Sequence, residues 1–171
     1  MADKLIDNHL GIVNCGNWYR IKQVMRKAKK GEPITVGFLG GSITQGCLSS
    51  TPETCYAYLV YEWWKKQFPD TSVTYVNAGI GGTTSQFGVA RADSDLLSHH
   101  IDFTVVEFSV NDDDNTHFLE TYEGLIRHIY SDESKPAILI VNSVRYDDGC
   151  NAQAQHNRIG EAYQIPCVSM K

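Results

Sequence analysis

The sequence predicts an α/β fold, a three-layer α/β/α sandwich around a central parallel sheet. Three observations carry this expectation. Short, continuous apolar runs recur along the chain, segments of helical periodicity separate them, and polar clusters at 41–52, 79–85, 109–116 and 145–152 follow the runs. Continuous rather than alternating apolar runs mark strands buried on both faces. Helices between such strands supply the right-handed crossovers that parallel pairing needs. The loops after the strands then share one edge of the sheet, where sites form in folds of this class.

The elements follow in order. Residues 1–33 are read as a leader and a basic helix preceding the first core strand. In "YRIKQVMRKAKKGE" the charges fall on one side, while Trp18, Ile21, Met25 and Ala28 recur at helical spacing on the other. "ITVGFLG" (34–40) is the first core strand. Thr51 as N-cap and Pro52 as first helical residue introduce a helix to about Gln67, with Tyr56, Leu59, Val60, Trp63 and Trp64 as its apolar stripe. "VTYVNA" (73–78) is the second strand and "TSQFGVARADSDLLSHH" the next helix. "DFTVVEFS" (102–109) is the third strand, after which Thr116 caps a helix with Leu119, Tyr122, Ile126 and Ile129 along one side. "PAILIVNSV" (136–144) is the fourth strand, a helix runs from about Asn151 to Tyr163, and "IPCVSM" begins a fifth strand.

A length of 171 residues, 42% of them hydrophobic, fits a single domain spanning 1–171. No apolar run approaches a membrane span, and the start lacks the basic-then-apolar pattern of a secretory signal, so the expectation is a chain without membrane contact, either cytoplasmic or from a secreted parent protein whose signal lies outside this sequence. The net charge of −5 is uneven: residues 1–35 hold seven Lys or Arg against three acids, and the remainder eight against seventeen. The basic stripe reads as a solvated helix face, because the acidic remainder would repel nucleic acid. Cys15, Cys47, Cys55, Cys150 and Cys167 show no paired metal spacing, and their odd number argues for reduced thiols. With neither a C-x-x-C pair nor an H-E-x-x-H helix, no metal or cofactor is expected.

Three loops carry candidate chemistry. In "GFLGGSITQG", Gly40 and Gly41 allow a sharp turn that exposes the Ser42 hydroxyl beside the N–H groups of a short helical turn. Acyl transfer needs such a nucleophile and such donors, although a glycine turn with a serine cap reads the same way. A phosphate cradle is excluded by the missing G-x-x-x-x-G-K-S/T pattern. In "NAGIGGTTS", Gly82 can present its N–H toward the same point, or serve only in a turn before a helix cap. In "SVNDDDN", the Asn111 amide can donate to a developing negative charge. Asp112, Asp113 and Asp114 lack calcium-loop spacing, and at least Asp113 and Asp114 face solvent in this reading. Glu107, inside a strand expected to be buried, must find donors or become protonated, and is read as a clamp on the surrounding loops. None of the six histidines stands out as a base, and His156 is placed on a helix surface, with a position near the loop edge as the alternative.

Together "GFLGGSITQG", "VNAGIGGTTSQFGVAR" and "VEFSVND" resemble the serine, glycine and asparagine blocks of the SGNH, or GDSL-like, hydrolase family. The sequence departs in having "GGSIT" where many members have G-D-S, and Ser109 where G-x-N-D puts glycine. The wording "GGSITQG", with "NWYRIKQVMRKAKKGEP" and "DGCNAQAQHNRIGEAYQIP", is similar to the branch that removes acyl groups from plant-polysaccharide sugars. The resemblance implies a flavodoxin-like SGNH fold with Ser42 as nucleophile. It also implies an oxyanion hole from the Ser42 and Gly82 N–H groups and the Asn111 amide. The implied activity is a serine esterase that needs no cofactor and takes acetyl groups from a small acylated sugar or polysaccharide ester.

The family places its catalytic Asp and His in a D-x-x-H block beyond the fifth strand, and none follows "CVSMK". The expectation is therefore a domain incomplete at its C-terminus, truncated before that block and lacking the C-terminal helix. Residues 1–171 alone should then hydrolyse activated acetyl esters very poorly. Two alternatives remain open on sequence. One is an inactive carbohydrate-binding or interaction module. The other is a split esterase completed by a homo-oligomeric partner or a complementary C-terminal fragment.

Overall fold

The computed structural model describes residues 10–149 and 151–170. Among these, six strands form one sheet: β1 (Ile12–Asn14), β2 (Ile34–Gly40), β3 (Val73–Gly79), β4 (Phe103–Glu107), β5 (Ala137–Asn142) and β6 (Cys167–Ser169). Their spatial order is β1-β6-β5-β4-β2-β3. Leaving β1 aside, the order is that of a flavodoxin-like doubly wound sheet read from its far edge. The helices are α1 (Tyr19–Lys29), α2 (Ser42–Gln45), α3 (Tyr56–Gln67), α4 (Ser85–Asp95), α5 (Thr116–Ser131) and α6 (Gln153–Ala162).

Successive strand residues point to opposite faces, so each central strand feeds two cores. On one face Leu39, Val106 and Ile140 pack with Tyr122, Leu125, Ile126, Ile129 and Ile159 under α4, α5 and α6. On the other, Val36, Phe38 and Val105 pack with Ile21, Val24, Ala28 and Trp64 of α1 and α3. A fully buried Ile, Leu or Phe contributes about 1.5–3 kcal/mol, which both faces of β2 and β4 supply. Both central strands are therefore buried at nearly every position.

Four expectations need correction. The sheet is mixed, not wholly parallel: β1, drawn from the supposed leader, pairs antiparallel with β6 through Ile12–Val168 and Asn14–Cys167. It covers the edge that β6 would otherwise expose, and three half-exposed residues leave no apolar run to betray it. A C-terminal helix is present despite its expected lack: the segment read as a helix from about Asn151 to Tyr163 forms α6, which precedes β6. Thr51 and Pro52 start a 3₁₀ turn over Pro52–Thr54; Cys55 is then extended, so α3 begins only at Tyr56. Asn115, not Thr116, caps α5, its side chain accepting the Phe118 N–H at 3.0 Å. Among the described residues no helix is long and apolar enough to cross a membrane.

Candidate active site

Sheet register sets the site. Gly40, the last residue of β2, is paired with Gly79 on one side and Glu107 on the other, so three strands end at one height. The chain then turns through Gly41 into the single turn of α2, which Ser42 opens and left-handed Gly46 closes. This turn lies against the strand ends: a Cβ on Gly79 would stand 2.2 Å from the Gln45 nitrogen, and one on Gly40 2.4 Å from the Glu107 carbonyl. Only glycine permits such an approach.

The loops bearing Ser42, Gly82 and Asn111 converge. A Cβ on Gly41 would lie 2.6 Å from Asn111 Oδ1, and one on Gly81 would lie 3.7 Å from the Ser42 Cβ. Gly82 has φ +72° and open space around it. The loop N–H groups before it are occupied: Gly79 donates to Asn77 Oδ1, Ile80 to the Gly40 carbonyl and Gly81 to Gln45 Oε1. The Gly82 N–H has no acceptor among the described residues.

Sequence reading did not find the residues that hold these loops. Arg91, only 6% exposed, donates to the Ala78 carbonyl at 2.6 Å and the Gly40 carbonyl at 3.1 Å, pinning the ends of β3 and β2. Its signal was an arginine among the small residues of "FGVARAD". Asn77 donates to the Thr44 carbonyl of α2 at 2.9 Å. Asp112 is buried, unlike exposed Asp113 and Asp114. Its carboxylate accepts the Ser85 N–H at 2.8 Å and lies 3.2 Å from His156 Nε2.

His156 corrects the expectation of a surface residue. It is 0% exposed and stacks on Tyr122 at 3.6 Å between ring centroids. Burial lowers its pKa, against the pull of Asp112, so the neutral ring donates from Nε2 to that carboxylate. It braces Asp112 and has no access to a substrate. His128 pairs with Asp93, and His117 lies near Gln86. His99 and His100 precede β4, whose other end carries the site. His9 lies outside the described residues.

Glu107 is buried as expected. Its Oε1 accepts the Ser109 N–H at 3.0 Å and faces the Ser109 hydroxyl at 2.9 Å. That hydroxyl also lies 2.9 Å from the Ser143 carbonyl, so the carboxyl connects the loops after β4 and β5. Burial pushes its pKa up to about 7, while the Ser109 donors pull the other way. Among the described residues no group of three or more His, Cys, Asp or Glu is gathered as metal ligands. Cys15 and Cys47 are exposed free thiols, whereas Cys55 and Cys167 are buried; Cys150 lies outside the described residues.

Residues 38–165 match the model of the GDSL-like lipase/acylhydrolase family. A two-domain esterase active on acetylated mannans, co-crystallised with mannopentaose, is 61% identical over 96% of this chain with a TM-score of 0.95. A second structure of a two-domain esterase active on acetylated mannans gives the same identity and score. The chain spans 46% and 44% of those two proteins, about half their length. An SGNH-hydrolase family esterase, AlinE4, shares the fold at 17% identity and a TM-score of 0.65, over 80% of this chain and 76% of its own. Comparison with curated proteins gives no match. The match over the site-bearing loops and most of the sheet shows that this chain belongs to the GDSL-like lipase/acylhydrolase family.

Proposed function

We propose that the chain is the nucleophile-bearing part of a serine esterase that removes acetyl groups from carbohydrate esters. The observation that carries this reading is the convergence of the loops bearing Ser42, Gly82 and Asn111 at one sheet edge, with the Gly82 N–H free of any acceptor among the described residues. In this mechanism Ser42 Oγ attacks the ester carbonyl while losing its proton to a base. The carbonyl oxygen becomes an oxyanion that accepts from the Ser42 and Gly82 N–H groups and the Asn111 amide. Collapse expels the sugar alcohol, which takes the proton back from the base, and leaves acetyl-Ser42. Water activated by the same base then releases acetate. No step requires a cofactor.

The 61% identity to an esterase active on acetylated mannans supports an acetylated polysaccharide as substrate. The base is assigned to a D-x-x-H segment outside residues 1–171, because the buried His156 is held by Asp112. The test is acetate release from acetylated mannan, with p-nitrophenyl acetate as a second substrate, by the chain and its Ser42→Ala variant. A slow release abolished in the variant is expected. Release that survives Ser42→Ala would remove Ser42 from the mechanism.

A further inference from the structure

An oxyanion hole works only if its donors are free and aimed, and the glycine loop offers neighbouring candidates in Gly81 and Gly82. The structure distinguishes them. Gln45, last residue of α2, accepts the Gly81 N–H with its Oε1 at 2.7 Å. The same oxygen lies 3.4 Å from the Cys47 thiol, a weak donor. Gln45 thus links the turn that carries Ser42 to the loop that carries Gly82. Below it, the Gln45 backbone rests on Gly79, where any Cβ would collide. With Gly79, Ile80 and Gly81 all committed, the next N–H is the first one free.

We infer that Gln45 is a positioning residue: by occupying the Gly81 N–H, it fixes the loop register that leaves the Gly82 N–H available beside Ser42. This rests on the esterase reading above, in which Gly82 serves the oxyanion. A loop released from Gln45 could turn Gly81 or neither amide toward the carbonyl. Misplacement by about 1 Å costs roughly 100-fold in rate without any loss of the nucleophile.

The experiment has two arms, run on the 171-residue protein. Backbone amide exchange by NMR compares wild type, Gln45→Leu and Gln45→Glu, the last retaining an acceptor oxygen. Expected results are a protected Gly81 amide and an unprotected Gly82 amide in wild type. Gln45→Leu should speed Gly81 exchange about tenfold or more, as loss of a local hydrogen bond permits, and Gln45→Glu should restore protection. Equal Gly81 exchange in wild type and Gln45→Leu overturns the inference, as does a Gly82 amide protected as strongly as Gly81. Should the leucine variant not fold, Gln45→Ala replaces it under the same criterion. The second arm measures Ser42-dependent turnover of p-nitrophenyl acetate. Gln45→Leu should lower kcat about 100-fold at little changed KM, whereas a raised KM at unchanged kcat overturns the positioning role. Absence of Ser42-dependent turnover both in the wild type and in a polypeptide that continues past β6 into a D-x-x-H segment would refute the esterase reading, and the exchange arm would still decide on Gln45.

Discussion

Glu107 stands at the inner end of a central strand, where a carboxylate meets little water. Desolvation raises its pKa from 4.5 to about 7, with the Ser109 hydrogen bonds opposing. The folded state therefore holds this proton more tightly than the unfolded chain. Its contribution to stability is present below pH 4.5 and is lost as pH rises through about 7. At about 1.4 kcal/mol per pKa unit, the loss is about 3 kcal/mol. His156 acts with the opposite sign, because its lowered pKa makes stability fall as pH drops. Glu107→Gln keeps the size and the acceptor for Ser109 but removes the titration. Urea unfolding at about pH 5 and about pH 8 should show the variant gaining on wild type at the higher pH. Parallel profiles would show that Glu107 does not titrate in this window. The position of this carboxyl was legible in the sequence, since an acid inside the apolar run "TVVEFS" must be held by donors or carry a proton. Ser42, Gly82 and Asn111 were legible as candidates because each follows an apolar strand. Gln45, Arg91 and the Asp112–His156 pair were not, because their roles lie in partners from other loops.

At the scale of elements, α2 is a single turn whose place depends on glycines beneath it. Gly79→Ala would drive a Cβ to 2.2 Å from the Gln45 nitrogen and 2.6 Å from the Thr44 carbonyl carbon, both backbone atoms that cannot step aside alone. The expected cost is about 1–3 kcal/mol, as for other overpacked sites. Gly124 supplies the contrast. It lies inside α5, and a Cβ there would meet nothing within 4 Å, so Gly124→Ala should stabilise by about 0.5–1 kcal/mol through helix propensity. Denaturant midpoints of both variants check the pair, and a neutral Gly79→Ala would contradict the close seating of α2. The core strands were readable because burial on both faces demands continuous apolar runs. β1 escaped notice because a three-residue edge strand is set by the partner it covers. The start of α3 escaped because the Thr51 cap is spent on a preceding 3₁₀ turn.

For the whole molecule, the parallel order of β2 to β6 gathers loops far apart in sequence, and β2, β3 and β4 bring the loops of Ser42, Gly82 and Asn111, the proposed nucleophile and oxyanion donors, to one edge. The proposed base belongs to a D-x-x-H segment outside residues 1–171. A neutral serine hydroxyl is a weak nucleophile, so without a base only transition-state binding remains to the 171-residue chain. Enzymes stripped of a triad member keep a residual rate from the oxyanion hole and binding alone, some ten-thousandfold or more below the intact site. A polypeptide that continues past β6 into a D-x-x-H segment should therefore exceed the short chain in kcat/KM for p-nitrophenyl acetate by at least about 1,000-fold. Ser42→Ala should lower turnover in both, and far more in the longer polypeptide. Equal and robust Ser42-dependent turnover would mean that the base is already within the short chain or arrives from a second copy. Assaying at rising protein concentration separates those outcomes, since a base shared between copies makes specific activity depend on concentration. Equal inactivity of both folded proteins would favour a binding module that keeps the cleft without the chemistry.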